Sequence, residues 1–468
     1  MSYTKIEASH LDFFIKTLGE ENVLTGKNVL DYSSDHTEDL IYKPEAVLFP
    51  ESTELVSQLV AFCNTNLIPI TPSAALTGLS GGALPYYQGI SVSMKKMNKI
   101  LKIDEANFQA VIQPGLINEE FQNRLSKKNL FYPPDPASKG SCTLGGNIAL
   151  NAGGPKALKY GVTSNYVINL EVVLPNGSII WTGANTLKNS TGYNLTQLMV
   201  GSEGTLGIIT KAVIKLISKP KYTLLMLIPF NLVSESCEVV SKIFLEGITP
   251  SSIEFMEKAA LEVIQKTQFA NIPFELKKNE KSYLLIELDG NEEKKLLENA
   301  EKLYAIFENY DCGEILIAET SIQKENLWKM RRNIGLAVKS HSIYKEEDTV
   351  VPRNKLPELM KGVKLIGKKY GFKSICYGHA GDGNLHVNIL KENLSELVWS
   401  NIKKTGIREI FSLCVKLGGT ISGEHGIGLV QKNYMDIPFS KEMISLQKEI
   451  KFLFDPNNIM NPGKIFPD

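Results

Sequence analysis

Between Ala46 and Gly82 the chain reads Ala-Val-Leu-Phe at 46–49, Ser-Thr-Glu-Leu-Val-Ser-Gln-Leu-Val-Ala-Phe-Cys at 52–63, Leu-Ile-Pro-Ile at 67–70, and Pro-Ser-Ala-Ala-Leu-Thr-Gly-Leu-Ser-Gly-Gly at 72–82. The first run predicts a short strand. Ser52 is placed to cap a helix on which Leu55, Val56, Leu59, Val60 and Cys63 recur at helical spacing, and Leu67 to Ile70 resumes as a strand. This is a β-α-β unit that empties into a glycine-rich loop. With few Cβ atoms in the way, the backbone N–H groups of such a loop can converge on an anion such as a pyrophosphate. The loop matches neither the Walker pattern nor G-x-G-x-x-G.

Two more small-residue clusters follow. Pro133-Pro134-Asp135-Pro136-Ala137-Ser138 leads into Thr143-Leu144-Gly145-Gly146-Asn147-Ile148-Ala149-Leu150-Asn151-Ala152-Gly153-Gly154 and then Lys159-Tyr160-Gly161. Further on stands Gly201-Ser202-Glu203-Gly204-Thr205-Leu206-Gly207-Ile208-Ile209-Thr210. Three such loops in one β-α domain point to a long flat cofactor that needs close backbone approach at several places.

After Lys219-Pro220 the pattern changes. Strands are expected at Tyr222 to Ile228, Ser252 to Phe255, Tyr283 to Leu288 and Glu314 to Ala318, with helices at Val233 to Leu245 and Glu292 to Glu308 and one more after the second strand. That order fits a split β-α-β sheet of the ferredoxin-like kind. Helices at Pro357 to Tyr370 and Leu394 to Leu417 flank strands at Ser374 to Tyr377 and Leu385 to Ile389. The chain has 468 residues, 43% of them hydrophobic, enough for two or three packed units at about 150 residues each. Its 51 basic and 51 acidic residues cancel, so no net field draws it to nucleic acid. The first residues lack a signal-like apolar or Arg-rich stretch, and no apolar run approaches the roughly 20 residues that span a bilayer, so a cytoplasmic protein is expected. The six cysteines show no C-x-x-C spacing, which argues for reduced thiols and against a zinc ribbon or disulfide frame.

Three of the six histidines fall in two glycine-rich segments near the C-terminus. In Gly378-His379-Ala380-Gly381-Asp382-Gly383-Asn384-Leu385-His386-Val387-Asn388, the central glycines should turn the chain. His386 and Asn388 then share one face of the following strand, opposite Leu385, Val387 and Ile389. A turn that folds His379 back brings the two imidazoles together. Ser422-Gly423-Glu424-His425-Gly426-Ile427-Gly428 adds a carboxylate beside a third imidazole. Two imidazoles and one carboxylate with open positions form the ligand set of a catalytic zinc or similar site. If His379, His386 and Glu424 hold the metal, His425 remains as a general base. Leu327-Trp328-Lys329-Met330-Arg331-Arg332, expected at the start of a helix, can offer a guanidinium fork to a carboxylate, although such a run is more often a solvated basic face.

Taken in order, T-G-L-S-G-G, P-D-P-A-S through K-Y-G, G-S-E-G-T-L-G-I-I-T, G-H-A-G-D-G-N-L-H-V-N and G-E-H-G-I-G closely resemble the FAD-dependent D-2-hydroxy acid dehydrogenases. That family includes the glycolate oxidase flavin subunit, D-lactate dehydrogenase and D-2-hydroxyglutarate dehydrogenase, within the vanillyl-alcohol oxidase superfamily. The resemblance runs from about Pro44 to Asn461-Pro462-Gly463-Lys464. It implies an α+β fold: a two-part PCMH-type FAD-binding domain at 1–219, a ferredoxin-like cap at 220–415, and a C-terminal helical segment at 416–468 returning to the FAD domain.

By the same likeness, non-covalent FAD would be lined by Pro72, Thr77, Gly78, Leu79, Ser80, Gly81 and Gly82, then by Pro134, Asp135, Ser138, Thr143, Gly145, Gly146, Asn147, Ala149, Asn151, Gly153, Gly154 and Gly161, and finally by Glu203, Gly204, Ile209 and Asn461. His379, His386 and Glu424 would hold a divalent metal, zinc first and manganese or iron as alternatives. His425 would be the base, Arg331 the carboxylate clamp and Asn388 a substrate contact. The implied reaction is oxidation of a D-2-hydroxy acid to the 2-oxo acid, with electrons passing to a quinone, a cytochrome, an electron-transfer flavoprotein or an iron-sulfur subunit. A homodimer and a peripheral place at the inner membrane are compatible with it.

The chain departs from the family at two points. Ser73, Ala74 and Ala75 replace the usual arginine and glycines, which leaves the first loop less open. The glutarate-specific members carry a threonine one helical turn past the arginine and a lysine before the next strand; here these places hold Gly335 and the Lys345-Glu346 pair. An acid there would repel a dicarboxylate, so a monocarboxylic substrate such as lactate or glycolate is expected. The alternatives are D-2-hydroxyglutarate dehydrogenase, another flavoprotein of the superfamily such as an O₂-using oxidase or a non-redox ether-lipid synthase, and a catalytically silent FAD-binding scaffold subunit, which would not need the metal set.

Overall fold

A computed structural model describes residues 3–467 except 38, 268, 270 and 271. Two compact units result, one made of Met1–Gly153, Val162–Lys219 and Glu424–Asp468, the other of Gly154–Gly161 and Pro220–Gly423.

The first unit is built on two larger sheets, with a two-stranded ribbon of Leu130–Phe131 and Ile217–Ser218 besides. In one, the strands lie in the order Val23–Leu24, Ala46–Leu48, Ile90–Ser93, Ile70–Ser73, and the last three run parallel. Parallel strands need a crossover, and the helix Thr53–Asn66 supplies it, with Ser52 Oγ accepting the Leu55 amide at 3.3 Å as its cap. The helix buries Val56, Leu59, Val60 and Cys63 against Leu48, Ile70, Ile90 and Val92. Each such side chain contributes roughly 1.5–3 kcal/mol by leaving water. The strand expected from Leu67 begins instead at Ile70, because Leu67 ends the helix in the left-handed region at φ 54°. The register is thereby carried through Pro72 and Ser73 to the edge of the first glycine loop. The second sheet is antiparallel, in the order Ile100–Asp104, Gln109–Ile112, Ile208–Lys215, Val167–Val173, Ile179–Trp181. The C-terminal segment joins the first sheet, where the Ile70 amide donates to Ile459 O and the Asn461 amide to Ile70 O, both at 2.7 Å.

The second unit carries one antiparallel sheet of seven strands: Leu316–Ala318, Tyr222–Phe230, Ser282–Gly290, Ser252–Glu257, Lys373–His379, Asn384–Leu390 and Tyr344–Val350. The first four, with the helices Val233–Leu245 and Glu293–Phe307, make the ferredoxin-like half. The seventh strand has no strand signature in its sequence, since Tyr-Lys-Glu-Glu-Asp-Thr-Val carries five polar residues in seven; it is stabilised by its ladder with Asn384–Leu390. One face of the sheet packs Leu225, Leu227, Met256, Tyr283, Leu285, Ile375 and Tyr377 under the helices Lys258–Gln265, Ser321–Arg332 and Ile334–His341. Arg331 ends its helix, contrary to the expected place at the start, because Thr320 and Gln323 form the capping box eleven residues earlier. The helix expected from Leu394 to Leu417 is Glu396–Asn401 and Ile407–Lys416 joined through a π-turn at Ile402–Gly406. No helix among the described residues is long and apolar enough to cross a membrane, and all six cysteines are free thiols.

Candidate functional site

In the first unit the three small-residue clusters meet. The Gly201 amide donates to Ile148 O at 2.9 Å and the Glu203 amide to Ala149 O at 2.8 Å, which ties the third cluster to the second. Gly204, at φ 68°, would bring a Cβ within 3.1 Å of Pro72, so the third cluster also packs on the first. Asn461 Nδ2 donates to Gly82 O at 2.9 Å and to Glu203 O at 2.7 Å, clamping the C-terminal segment across both. The hydroxyls of Ser73, Ser80, Ser91 and Ser93 are buried beside this junction with no hydrogen-bond partner among the described residues. Ser73 and Ser93 are register partners at the carboxyl ends of parallel strands, where open sheets place their ligands. Buried hydroxyls without partners are costly, and a ligand rich in phosphate and hydroxyl oxygens would satisfy them. The donor set therefore fits FAD.

Several of the anticipated cofactor residues have other occupations. Gly145 is required by Pro114, whose Cβ lies 2.4 Å from where an added Cβ would stand. Asn151, at φ 54°, ends the helix Leu144–Leu150 and accepts the Ser164 amide at 2.8 Å. Thr143 Oγ1 caps the same helix, accepting the Gly146 amide at 3.4 Å. Pro134 O accepts from the Asn118 and Gln122 side chains. Asn147 Nδ2 donates to Asn118 Oδ1 at 3.4 Å, and Ile209 is a ladder residue opposite Val172. Gly154 and Gly161 belong to the second unit.

Glu203 holds the segment that carries His425. Its carboxylate accepts the Ile427 amide at 2.7 Å and the Gly428 amide at 2.8 Å. Burial raises the Glu203 carboxyl to about 7 despite those two bonds. Gly428, at φ 49°, passes so close to Ser80 O that a Cβ would stand 2.1 Å from it. Glu424 Oε2 occupies the space above Gly153, 2.8 Å from the position of a Cβ there. Glu424 and His425 thus belong to the first unit.

The second unit places the remaining candidates on one face of its sheet. Residues directly opposite in an antiparallel pair share a face, so the register makes a grid: Glu254, His379 and Asn384 in one row, Tyr377, His386 and Asp348 in the next, Asn388 and Glu346 in the third. The Gly381-Asp382-Gly383 turn does bend His379 back, and the imidazole rings of His379 and His386 stand edge to face with centroids 5.5 Å apart. His379 Nδ1 lies 2.7 Å from Glu254 Oε1, and His386 Nδ1 lies 3.5 Å from Glu346 Oε1. Asp348 braces the chain just before Glu424: its Oδ2 accepts the Gly423 amide at 2.7 Å and the Ser422 hydroxyl at 3.0 Å.

Arg331 reaches the same face, its guanidinium 5.0 Å over the Tyr377 ring and Nη2 2.6 Å from Glu254 Oε2. That approach is off the donor axis. Arg331 Nε and Nη2, together with both carboxamide atoms of the fully buried Asn388, make no hydrogen bond of good geometry with any described residue. Burial, reinforced by the nearby Glu346, pushes the Tyr377 phenol well above its ordinary range, so it remains neutral. Glu254 and Asp348 carry no local sequence signal and are brought to the site by strand register.

Two family models cover most of the sequence: "FAD binding domain" matches residues 44–183 and "FAD linked oxidases, C-terminal domain" matches residues 219–465. The chain belongs to the FAD-linked oxidases. Among the relatives of this oxidase is the glycolate oxidase subunit GlcD of Bacillus subtilis (strain 168), 39% identical over 93% of this chain and 92% of that one. The D-lactate dehydrogenase of Anaerostipes hadrus is 37% identical over 99% and 98%. The D-2-hydroxyglutarate dehydrogenase of Stutzerimonas stutzeri (strain A1501) is 35% identical over 97% and 98%. These place the oxidase in the D-2-hydroxy acid dehydrogenase group of its family. The structure of p-cresol methylhydroxylase with substrate bound shares the fold, with TM-score 0.78 at 18% identity over 100% of this chain and 98% of that one.

Proposed function

We propose that this FAD-linked oxidase converts a D-2-hydroxy monocarboxylic acid of the lactate or glycolate kind to its 2-oxo acid and passes the electrons to a non-nicotinamide acceptor. The observation that carries this reading is the buried Arg331 guanidinium, whose Nε makes no hydrogen bond with any described residue and whose Nη2 is paired with Glu254 without good hydrogen-bond geometry. It stands beside the fully buried Asn388 carboxamide on the face that holds two imidazoles. Buried donors of this kind call for an acceptor, and a planar fork matches a carboxylate.

His379, His386 and Glu424 would hold a divalent metal, zinc foremost. Glu254 at His379 Nδ1 leaves Nε2 to bind it, the usual arrangement for a ligating imidazole. When bound, FAD supplies the acceptor for the Cα hydride and the metal a Lewis acid for the substrate oxygens. Arg331 binds the substrate carboxylate and fixes which face of Cα is presented. The Asn388 carboxamide hydrogen-bonds the polar end of the substrate. His425 takes the hydroxyl proton as general base, its loop held by Glu203 through the Ile427 and Gly428 amides. Glu346, on the same face as His386 and Asn388, opposes a second carboxylate, whereas Lys345 alternates to the other face.

Anaerobic mixing of the yellow protein with D- and L-2-hydroxy acids, followed by flavin absorbance, tests the proposal. Bleaching by D-monocarboxylates, lost after chelation and restored by zinc or manganese, is the expected result. No bleaching by any acid with FAD bound would overturn it in favour of a silent FAD-binding subunit.

A further inference from the structure

Glu254 has none of its side chain exposed, and it sits mid-sheet opposite His379. One oxygen, Oε1, lies 2.7 Å from His379 Nδ1 and also accepts the Ser252 hydroxyl at 3.2 Å. The other, Oε2, lies 2.6 Å from Arg331 Nη2. A single buried anion is therefore divided between an imidazole and a guanidinium, and neither interaction can strengthen without drawing on the other.

We propose that Glu254 is a positioning residue that couples metal binding at His379 to carboxylate binding at Arg331, so that each promotes the other. This rests on the function proposed above. A substrate carboxylate on the Arg331 fork satisfies the guanidinium and loosens its hold on Glu254. Glu254 then turns more of its charge on the His379 Nδ1–H, which makes Nε2 a better ligand. In the opposite direction, a cation at Nε2 strengthens the Nδ1–H donor, draws Glu254 toward His379 and releases the guanidinium for substrate. Because the two equilibria share one group, the linkage must be reciprocal. Glu254 itself touches neither substrate nor cofactor in this scheme.

The test is calorimetric titration of zinc into the chelated, oxidised FAD-bound protein, with and without saturating pyruvate as an unreactive carboxylate probe. In the wild type pyruvate should tighten zinc binding by about 5- to 150-fold. In Glu254→Gln, which keeps the shape and an acceptor but removes the charge, zinc should bind about 10- to 100-fold more weakly. The pyruvate effect should also shrink severalfold, down to whatever pyruvate contributes by touching the metal directly. Glu254→Asp, which keeps the charge but loses the reach, replaces the glutamine variant if that one fails to fold and should lose the coupling in the same way. Zinc binding that ignores pyruvate in the wild type would overturn the coupling while leaving the proposed function standing. Undiminished coupling in a folded Glu254 variant would do the same. A wild type that binds no zinc would instead overturn the metal assignment, and the coupling with it.

Discussion

Replacing Arg331 separates its charge from its shape. In Arg331→Lys an ammonium remains near Glu254, but the fork that offers two parallel donors to a carboxylate is lost. A hydrogen bond to a charged group is worth about 1.5–3 kcal/mol, and lysine retains one of the two. At 1.4 kcal/mol per decade, kcat/KM for a D-2-hydroxy acid should therefore fall roughly 10- to 150-fold. Arg331→Ala removes both bonds and leaves the substrate carboxylate facing Glu254 across a site where Arg331 was only 5% exposed. Truncating one partner of such a buried pair costs about 2–5 kcal/mol, or roughly 30- to 4,000-fold. Alanine should also lower thermal stability, because the buried Glu254 loses its guanidinium partner; lysine should lower it less. Anaerobic stopped-flow reduction of the flavin separates the apparent substrate Kd from the limiting rate, and both should worsen, since Arg331 holds the acid and also aims Cα. An alanine enzyme with unaltered kcat/KM would refute the assignment of Arg331.

Glu346→Lys should reverse the preference at the far end of the substrate. The ratio of kcat/KM for D-2-hydroxyglutarate to that for D-lactate should rise by about tenfold or more, and an unchanged ratio would remove Glu346 from the specificity argument. The segment Pro72 to Gly82 contains no histidine or cysteine to attach a flavin, so acid precipitation should leave FAD in the supernatant; flavin that stays with the pellet would contradict this. Gly383→Ala should destabilise the His379–His386 hairpin. The residue stands at φ 85°, and an added Cβ would lie 1.9 Å from Val351 O, a backbone atom with no freedom to move away. The left-handed conformation alone costs about 1–3 kcal/mol, and a melting temperature equal to that of the wild type would show that the turn adapts.

Local patterns made much of this protein legible. Helical spacing from Leu55 to Cys63 and the Ser52 cap set the crossover helix, and alternation along Asn384–Leu390 puts His386 and Asn388 on one face. These are consequences of backbone periods, which act over a few residues. The glycines were harder to interpret, since sequence shows that a backbone is open without showing what approaches it. Gly145 yields to Pro114, Gly204 to Pro72 and Gly428 to Ser80, so part of the glycine content serves the packing of loops on one another. Glu254 lay beyond reach altogether. Within Ser-Ile-Glu-Phe-Met-Glu it looks like any strand carboxylate, and it stands 125 residues from the imidazole it orients. Only the antiparallel register of Ser252–Glu257 with Lys373–His379 brings the two together. The Tyr344–Val350 strand, too polar to announce itself, is likewise defined by its partner, and with it the positions of Glu346 and Asp348. The types of chemical group and their local faces were thus written in the sequence. Which carboxylate meets which cation was decided by strand pairing, because hydrogen-bonded register couples residues without regard to their distance along the chain.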